Sequence, residues 1–380
     1  MDHKSSFISS LLPELSAVED FRVLRNKLYP LNELLFLTIS AVISGCQHWE
    51  EIADFGEEKL DWLRKYLPFE HGSPSHDTLN RVFSNLDYRS FESCFMNWVS
   101  NGLVLSEGAV INIDGKKLCR SATKQEQQLP HSSGGKSAVH LVQAWCSELQ
   151  LCLGQYKVDS KSNEIVAIPA LLELLELKGA IITIDAIGCQ KKIAEQIVDH
   201  GADYLIGLKA NQKTLMAESQ QLISDNNADS AHTWESKGHG REEKRTCRVF
   251  SAQGLARDVK DSWAGISAVV EIHSMRKVVA TGKVSAEKRL YITSLEADAE
   301  RLNQIVRGHW AIENQLHWSL DVQFGEDYST KRQMNAAQNF GVILRMSLSL
   351  LKANSEKVSV NRKILKCARS DQYREKVMNL

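Results

Sequence analysis

The chain has 380 residues, and its 46 Lys and Arg against 47 Asp and Glu give a formal net charge of −1; this is enough chain for two or three cores and too even a balance for a uniformly basic nucleic-acid coat, which leaves only a local basic patch open. The eight cysteines make no Cys-x-x-Cys pair and no Cys/His ligand spacing, which argues against a zinc ribbon. The start carries no signal-peptide pattern and no apolar run reaches the roughly 18 residues of a membrane span, so a cytoplasmic protein with reduced thiols is expected.

From Leu31 to Trp98 apolar residues recur at three- and four-residue intervals, through Leu34 to Ile39 and again at Phe55, Leu60, Leu63 and Leu67. The stretch Pro74 to Leu79 reads as a helix start, with Ser75 or Asp77 as cap and Leu79, Val82, Phe83 and Leu86 as the buried stripe. Residues 1–105 are therefore expected to form an all-helical domain. Helix-turn-helix DNA binding is one use for it, and a packing or dimerisation cap is another.

An apolar run ending in Asp114 opens the next region, followed by Ala138 to Trp145 and Leu149 to Tyr156, which predict an antiparallel hairpin. Asn163 and Glu164 open a helix through Ile168, Leu171, Leu172 and Leu175, and Gly179 precedes a run ending in Asp185. The order β-β-β-α-β, continued by a helix near Lys191, a strand at Tyr204 to Leu208 and a helix after Asn211, predicts an α/β fold with a mixed sheet covered by helices over residues 106–228. Residues 229–296 alternate like strands and are expected to form a β-rich insertion. Helical periodicity resumes over 297–350, and 351–380 reads as a basic tail, with eight Lys or Arg against three Asp or Glu from Lys352 onward, a solvated end or else a DNA contact.

The runs Gly108 to Gly115 and Gly179 to Asp185 are nearly alike, each β-branched and each delivering an aspartate at its far end. Strands buried on both faces look like this, and a carboxylate where such a strand leaves the core sits at the mouth of a site. In the segment Arg307 to Asp321, Glu313 is flanked by His309 and His317 at four-residue spacing, with Asp321 on the same predicted face. Together Asp114, Asp185 and Glu313 suggest a metal centre. His-x-x-x-Glu-x-x-x-His lacks zincin spacing, so a supporting or structural role is favoured for His309 and His317. Trp310 and Trp318 are expected in the core, and Gly115 and Gly188 in turns after their strands. The chain has no P-loop sequence.

Taken in order, Tyr29-Pro30-Leu31, Glu51 to Gly56, Pro74 to Thr78, Ile113 to Lys116, Lys161 to Glu164, Ile184 to Gln190, Leu208 to Gln212, His239 to Glu242 and His309 to Asp327 resemble the DDE-type transposases of bacterial insertion sequences, in the group that includes the H-repeat-associated proteins. The resemblance implies a ribonuclease-H-like catalytic core, a helical N-terminal domain, a β-rich segment inserted before the last catalytic helix, and Asp114, Asp185 and Glu313 as catalytic triad. It implies double-stranded DNA as partner, both element ends and target, and a homodimer in the DNA complex. Many related transposases carry a Tyr and an Arg before the glutamate and a Lys after it, where this chain has Val306, His309 and Leu320. Phosphate contacts from this helix then fall to Arg307 or the histidines, with Lys116, Lys161, Lys209 and Arg241 as further candidates and Asn163 in support.

Cutting a phosphodiester requires activation of a poor nucleophile and stabilisation of a departing alkoxide, the work of two divalent cations. Three carboxylates without cysteine fit Mg²⁺ or Mn²⁺. The resulting expectation is metal-dependent cleavage at the element ends and strand transfer into target DNA. A catalytically silent, transposase-derived DNA-binding protein and a stand-alone nuclease are the alternatives.

Overall fold

A computed structural model describes residues 11–23, 27–101, 105–122, 138–159, 162–238 and 240–380. Its first part is helical, with α1 Leu11–Ala17, α2 Leu31–Ile43, α3 Trp49–Glu58, α4 Leu60–Leu63, α5 His76–Asn85 and α6 Tyr88–Asn101. Ser75 caps α5 by accepting from the Thr78 amide, and Leu79, Val82, Phe83 and Leu86 are all buried as the stripe predicts. Helix α2 is buried at every position but Asn32, the mark of a helix surrounded by protein rather than lying on it.

The α/β part follows the expected order: β1 Val110–Lys117, β2 His140–Cys146, β3 Leu151–Val158, α7 Glu164–Leu172, β4 Ile181–Ile184, α8 Lys191–Asp199, β5 Asp203–Leu208 and α9 Lys213–Asp225. Next come β6 Ser230–Gly238, β7 Arg241–Ser251, α10 Arg257–Asp261, β8 Ala268–Val278 and β9 Val284–Thr293. All nine strands make one mixed sheet, ordered β3-β2-β1-β4-β5-β9-β8-β7-β6. β4 runs parallel to β1 and to β5, and the other pairings are antiparallel. The segment expected as an insertion is thus hydrogen-bonded to the central sheet, with Leu205 opposite Thr293 and Leu208 opposite Leu290.

Helix α11 Ala299–His309 lies over β6 and β7 and reaches β1 and β4. It seals a second core in which Leu302, Ile305 and Val306 meet Val249, Val270 and Ile272. A π-helical turn, Ile312–His317, leads into α12 Trp318–Phe324. Helix α13 Ala336–Ala353, buried at every position but Lys352, packs against α2, α5, α6 and β3.

Residues 351–380 are not a solvated tail. They form α14 Val360–Arg369 and α15 Asp371–Met378, whose docking is polar at the rim and apolar inside. Lys59 pairs with Asp371 at 3.0 Å, Trp62 Nε1 donates to Glu375 at 3.0 Å, and the fully buried Arg374 lies 4.1 Å from the Trp62 ring centre. One apolar core therefore runs from Leu11 through the sheet to Met378. Among the described residues no helix is long and apolar enough to cross a membrane.

Candidate active site

The parallel pairing of β1 with β4 sets Ile113 opposite Ile184, so the next residues, Asp114 within β1 and Asp185 just past the end of β4, sit side by side. Asp185 begins a tight turn over Ala186–Gly188 and accepts from the Ile187 amide at 3.0 Å, while Asp114 accepts from the Gly115 amide at 2.8 Å. Both line a cavity of about 480 Å³ whose walls also hold Glu313, His309, Trp310 and Lys209. The three carboxylates picked out by sequence pattern thus share one cavity.

Burial pushes the Asp114 carboxyl up to about 7, with the neighbouring charges of Asp185, Glu313 and Glu164 adding to the effect. Asp185 is raised as well, by burial first and then by Glu164, while Lys209 opposes the shift. Like charges crowded out of water favour the protonated acid, and a cation reverses that preference.

Glu164, read from sequence only as a helix opener, belongs to this acidic group. It pairs with His140 Nε2 at 2.7 Å. A Cβ on Gly115 would lie 2.0 Å from Glu164 Oε1 and 2.9 Å from His140 Nε2, so Gly115 lies within β1 to make room for this pair rather than to turn the chain. Gly188 does sit in the expected turn, and a Cβ there would lie 2.3 Å from Ile184.

The two histidines reach different partners because the π turn separates them. His309 is pushed down to about 4 by burial and by Arg289. Its Nδ1 is 2.8 Å from Thr183 Oγ1, which itself donates to Asn112 Oδ1 at 2.7 Å. Nδ1 must therefore carry the proton, leaving Nε2 as an acceptor. His317, pushed down to about 3 by burial and Lys116, lies with Nε2 2.8 Å from the Gln143 carboxamide and Nδ1 3.8 Å from Asp114 Oδ2. Arg345 Nε donates at 2.6 Å to the Gln143 oxygen, which turns the amide nitrogen toward His317 Nε2. The His317 proton thus faces Asp114.

Lys116 points inward instead of toward a ligand. It is 7% exposed and pairs with Asp321, and with Glu326 at 3.1 Å; Glu326 in turn accepts from the fully buried Arg345 at 2.7 Å. Lys209 is exposed at the cavity wall, and Arg307 lies over the Trp234 ring at 4.0 Å. Asn163 is exposed at the N-cap of α7 and makes no side-chain capping bond. Arg241 is exposed at the outer end of β7, opposite Gly238 and Val278, and is not part of the cavity wall. Lys161 lies outside the described residues. Trp318, expected in the core, is 53% exposed, whereas Trp310 lies beneath the Arg289 guanidinium at 4.7 Å.

Among the described residues, no three His, Cys, Asp or Glu side chains close into a ready-made metal cage. The donor set still suits a hard cation. Its donors are carboxylate oxygens, the aspartates are raised by burial first and by neighbouring carboxylates second, and Mg²⁺ needs only one or two carboxylates when waters and a substrate phosphate complete its shell.

Residues 106–350 match the family described as "Transposase DDE domain", and residues 12–99 match the family described as "DDE_Tnp_1-associated". YncI of Escherichia coli O157:H7, a candidate transposase by name, is 40% identical over 98% of this chain and 95% of its own. YhhI of Escherichia coli K12, an H repeat-associated candidate transposase by name, is 38% identical over 98% of both. YbfQ of Escherichia coli K12, named as an inactive transposase, is 46% identical over 20% of this chain and 92% of its own. A cryo-EM structure of a piggyBac transposase synaptic complex with hairpin DNA overlays at a TM-score of 0.43 and 10% identity, covering 100% of this chain and 79% of that one, a likeness too remote to carry weight.

Proposed function

The chain belongs to the family of transposases with a DDE domain, and we propose that it is a catalytically competent member that cuts DNA at the ends of its own element and joins the 3′ ends to target DNA. The observation that carries this reading is the pair Asp114 and Asp185 on adjacent parallel strands, facing one cavity with Glu313. The order β1-β2-β3-α7-β4, with β1 beside β4, supports a ribonuclease-H-like core. Bringing two ends together calls for two copies of the chain on the DNA.

In this reading Asp114, Asp185 and Glu313 hold Mg²⁺ or Mn²⁺, with Glu164 beside them. Such cations supply an activated attacking oxygen and a neutralised departing one. The protein's own part is to keep these carboxylates crowded and poor in cationic partners, so that they accept the ions. Lys209 faces Asp185 at the wall and is placed to meet a phosphate. His309, neutral and with Nε2 unprotonated, is placed to accept a hydrogen bond from a water or hydroxyl in the cavity. His317 turns its Nδ1 proton toward Asp114 at 3.8 Å, and the buried Arg345, paired with Glu326, fixes His317 through Gln143.

The test is cleavage of a DNA fragment containing this gene and its flanks, in Mg²⁺, Mn²⁺ or chelator, with wild type beside Asp185→Asn. Cuts at the element boundary that need metal and vanish in the variant support the proposal. Binding without cuts in any metal assigns the chain instead to a DNA-binding relic, and cuts retained in Asp185→Asn remove that residue from the triad.

A further inference from the structure

A second cavity, of about 280 Å³, lies on the same face of the sheet and shares Glu287, Arg289, Tyr291 and Trp310 with the catalytic one. Its floor is one cross-strand row, Trp234 opposite Arg245, Arg245 opposite Ser274 and Ser274 opposite Glu287, with Arg289 in the next row beside Ile272. These residues lie on the face that α11 covers further in, where Val249, Val270 and Ile272 meet Val306. The cavity is where that cover ends.

Arg245, Arg276 and Arg289 line it and Arg307 lies on its Trp234 wall, against two lining carboxylates, Glu287 and the Glu243 that pairs with Arg276 at 3.7 Å. Arg289 is paired with Glu287 at 2.7 Å, but among the described residues Arg245 and Arg307 have no carboxylate within ion-pairing distance. The Arg245 Nη1 atom is buried without a hydrogen-bond partner among them. Burial and then the charge of Arg307 disfavour the charged Arg245 guanidinium, opposed in part by Tyr291 and Glu243. Leaving a buried guanidinium donor unmatched beside two further cations costs stability, so such a group marks a place where an external acceptor fits. Arg307 and Arg289 lie over the Trp234 and Trp310 rings at 4.0 and 4.7 Å, and guanidinium forks are the side chains that take phosphate oxygens in pairs.

We propose that Arg245, Arg289 and Arg307 form an anion subsite that takes a phosphate of the DNA strand whose scissile bond lies in the neighbouring carboxylate cavity. The phosphate-binding chemistry stands on the arginine geometry alone, whereas the identity of the anion as DNA rests on the transposase reading.

The experiment has two arms. In the first, inorganic pyrophosphate is titrated at low ionic strength into wild type, Arg245→Gln, Arg307→Gln and, as control, Arg257→Gln, whose side chain is 94% exposed on α10, and the melting midpoint is followed. A saturable rise is expected for wild type and the control, with an apparent Kd about tenfold weaker for Arg245→Gln and Arg307→Gln. No rise in wild type, or an equal rise in all four proteins, overturns the subsite. Midpoints without ligand report folding, and if Arg245→Gln fails to fold, Arg307→Gln carries the comparison. In the second arm, anisotropy of a labelled duplex with the gene's flank is measured in Ca²⁺ across a salt series. The two variants are expected to lose about one unit of the slope of log K against log salt. A pyrophosphate effect with an unchanged DNA slope keeps the anion site and overturns DNA as its occupant. Absence of metal-dependent cleavage overturns the transposase reading without touching the first arm.

Discussion

Gly115 shows how one residue can control the site without touching a substrate. Because its missing Cβ is what admits Glu164 and His140 beside Asp114, Gly115→Ala is expected to push Glu164 aside and lower metal-dependent cleavage by tenfold or more. Circular dichroism should show the fold intact; full activity in the variant would remove Glu164 from the site. Lys116 makes the opposite prediction, since it touches the buried acids Asp321 and Glu326. Lys116→Met should cost about 3–5 kcal/mol of stability, the range for removing one partner of a buried ion pair, read as a lower denaturant midpoint at unchanged slope. The same experiment on the exposed Lys209→Ala should move the midpoint by no more than about 0.5 kcal/mol while weakening cleavage. That Asp114 and Asp185 meet at one cavity was legible in the sequence because each ends a β-branched run, a local pattern. The burial of Lys116 was not, because Asp321 and Glu326 lie some two hundred residues further along the chain.

Among the elements, the helix carrying Glu313 departs most from its sequence pattern. His309, Glu313, His317 and Asp321 repeat every four residues and read as a single α-helical face, yet the Trp318 amide bonds to the Glu313 carbonyl across five residues. This extra residue per turn is invisible to periodicity because it depends on what the helix packs against. π turns of this kind recur at functional sites, and here the turn lets His309 reach Thr183 while His317 reaches Gln143. Helix α6 and strand β3 are joined by another buried polar contact, in which Gln155 donates to Glu92 at 2.9 Å. Burial pushes Glu92 up from 4.5 to about 7, so the folded chain binds a proton there more tightly than the unfolded chain does. Its contribution to stability is fully present below about 4.5 and is lost as pH rises through about 7. Between pH 4.5 and 8 wild type should therefore lose on the order of 3 kcal/mol more than Glu92→Gln. Parallel stability curves for the two proteins would rule out Glu92 as the cause.

For the whole molecule, the expected order of strands and helices was readable because each run carries its own period. Three large features were not. The strands β6 to β9 continue the central sheet, the C-terminal helices bury Arg374, and α2 with α13 forms a shared interior. All three depend on contacts between distant segments, which local patterns do not encode. One consequence concerns truncation. Removing residues 1–100 strips α13 of α2, α5 and α6, so the remainder is expected to aggregate or to lose its cooperative melting transition, measured by solubility and by far-ultraviolet dichroism on heating. A soluble, cooperatively melting fragment would show that the N-terminal helices are separable from the core.

The pairing of β5 with β9 also sets a condition on biosynthesis. On the nascent chain, β5 can add to β4 as soon as Leu208 has emerged, but its other edge has no partner until Val284–Thr293 is made. At about 5–20 residues per second the unpaired edge lasts on the order of ten seconds. Through that interval an apolar strand, Tyr204 to Leu208, presents free backbone donors and acceptors to any neighbouring chain. Proteins made from closely spaced ribosomes on one message are the nearest such neighbours, so yield of folded protein should fall as translation is crowded and recover when initiation is slowed.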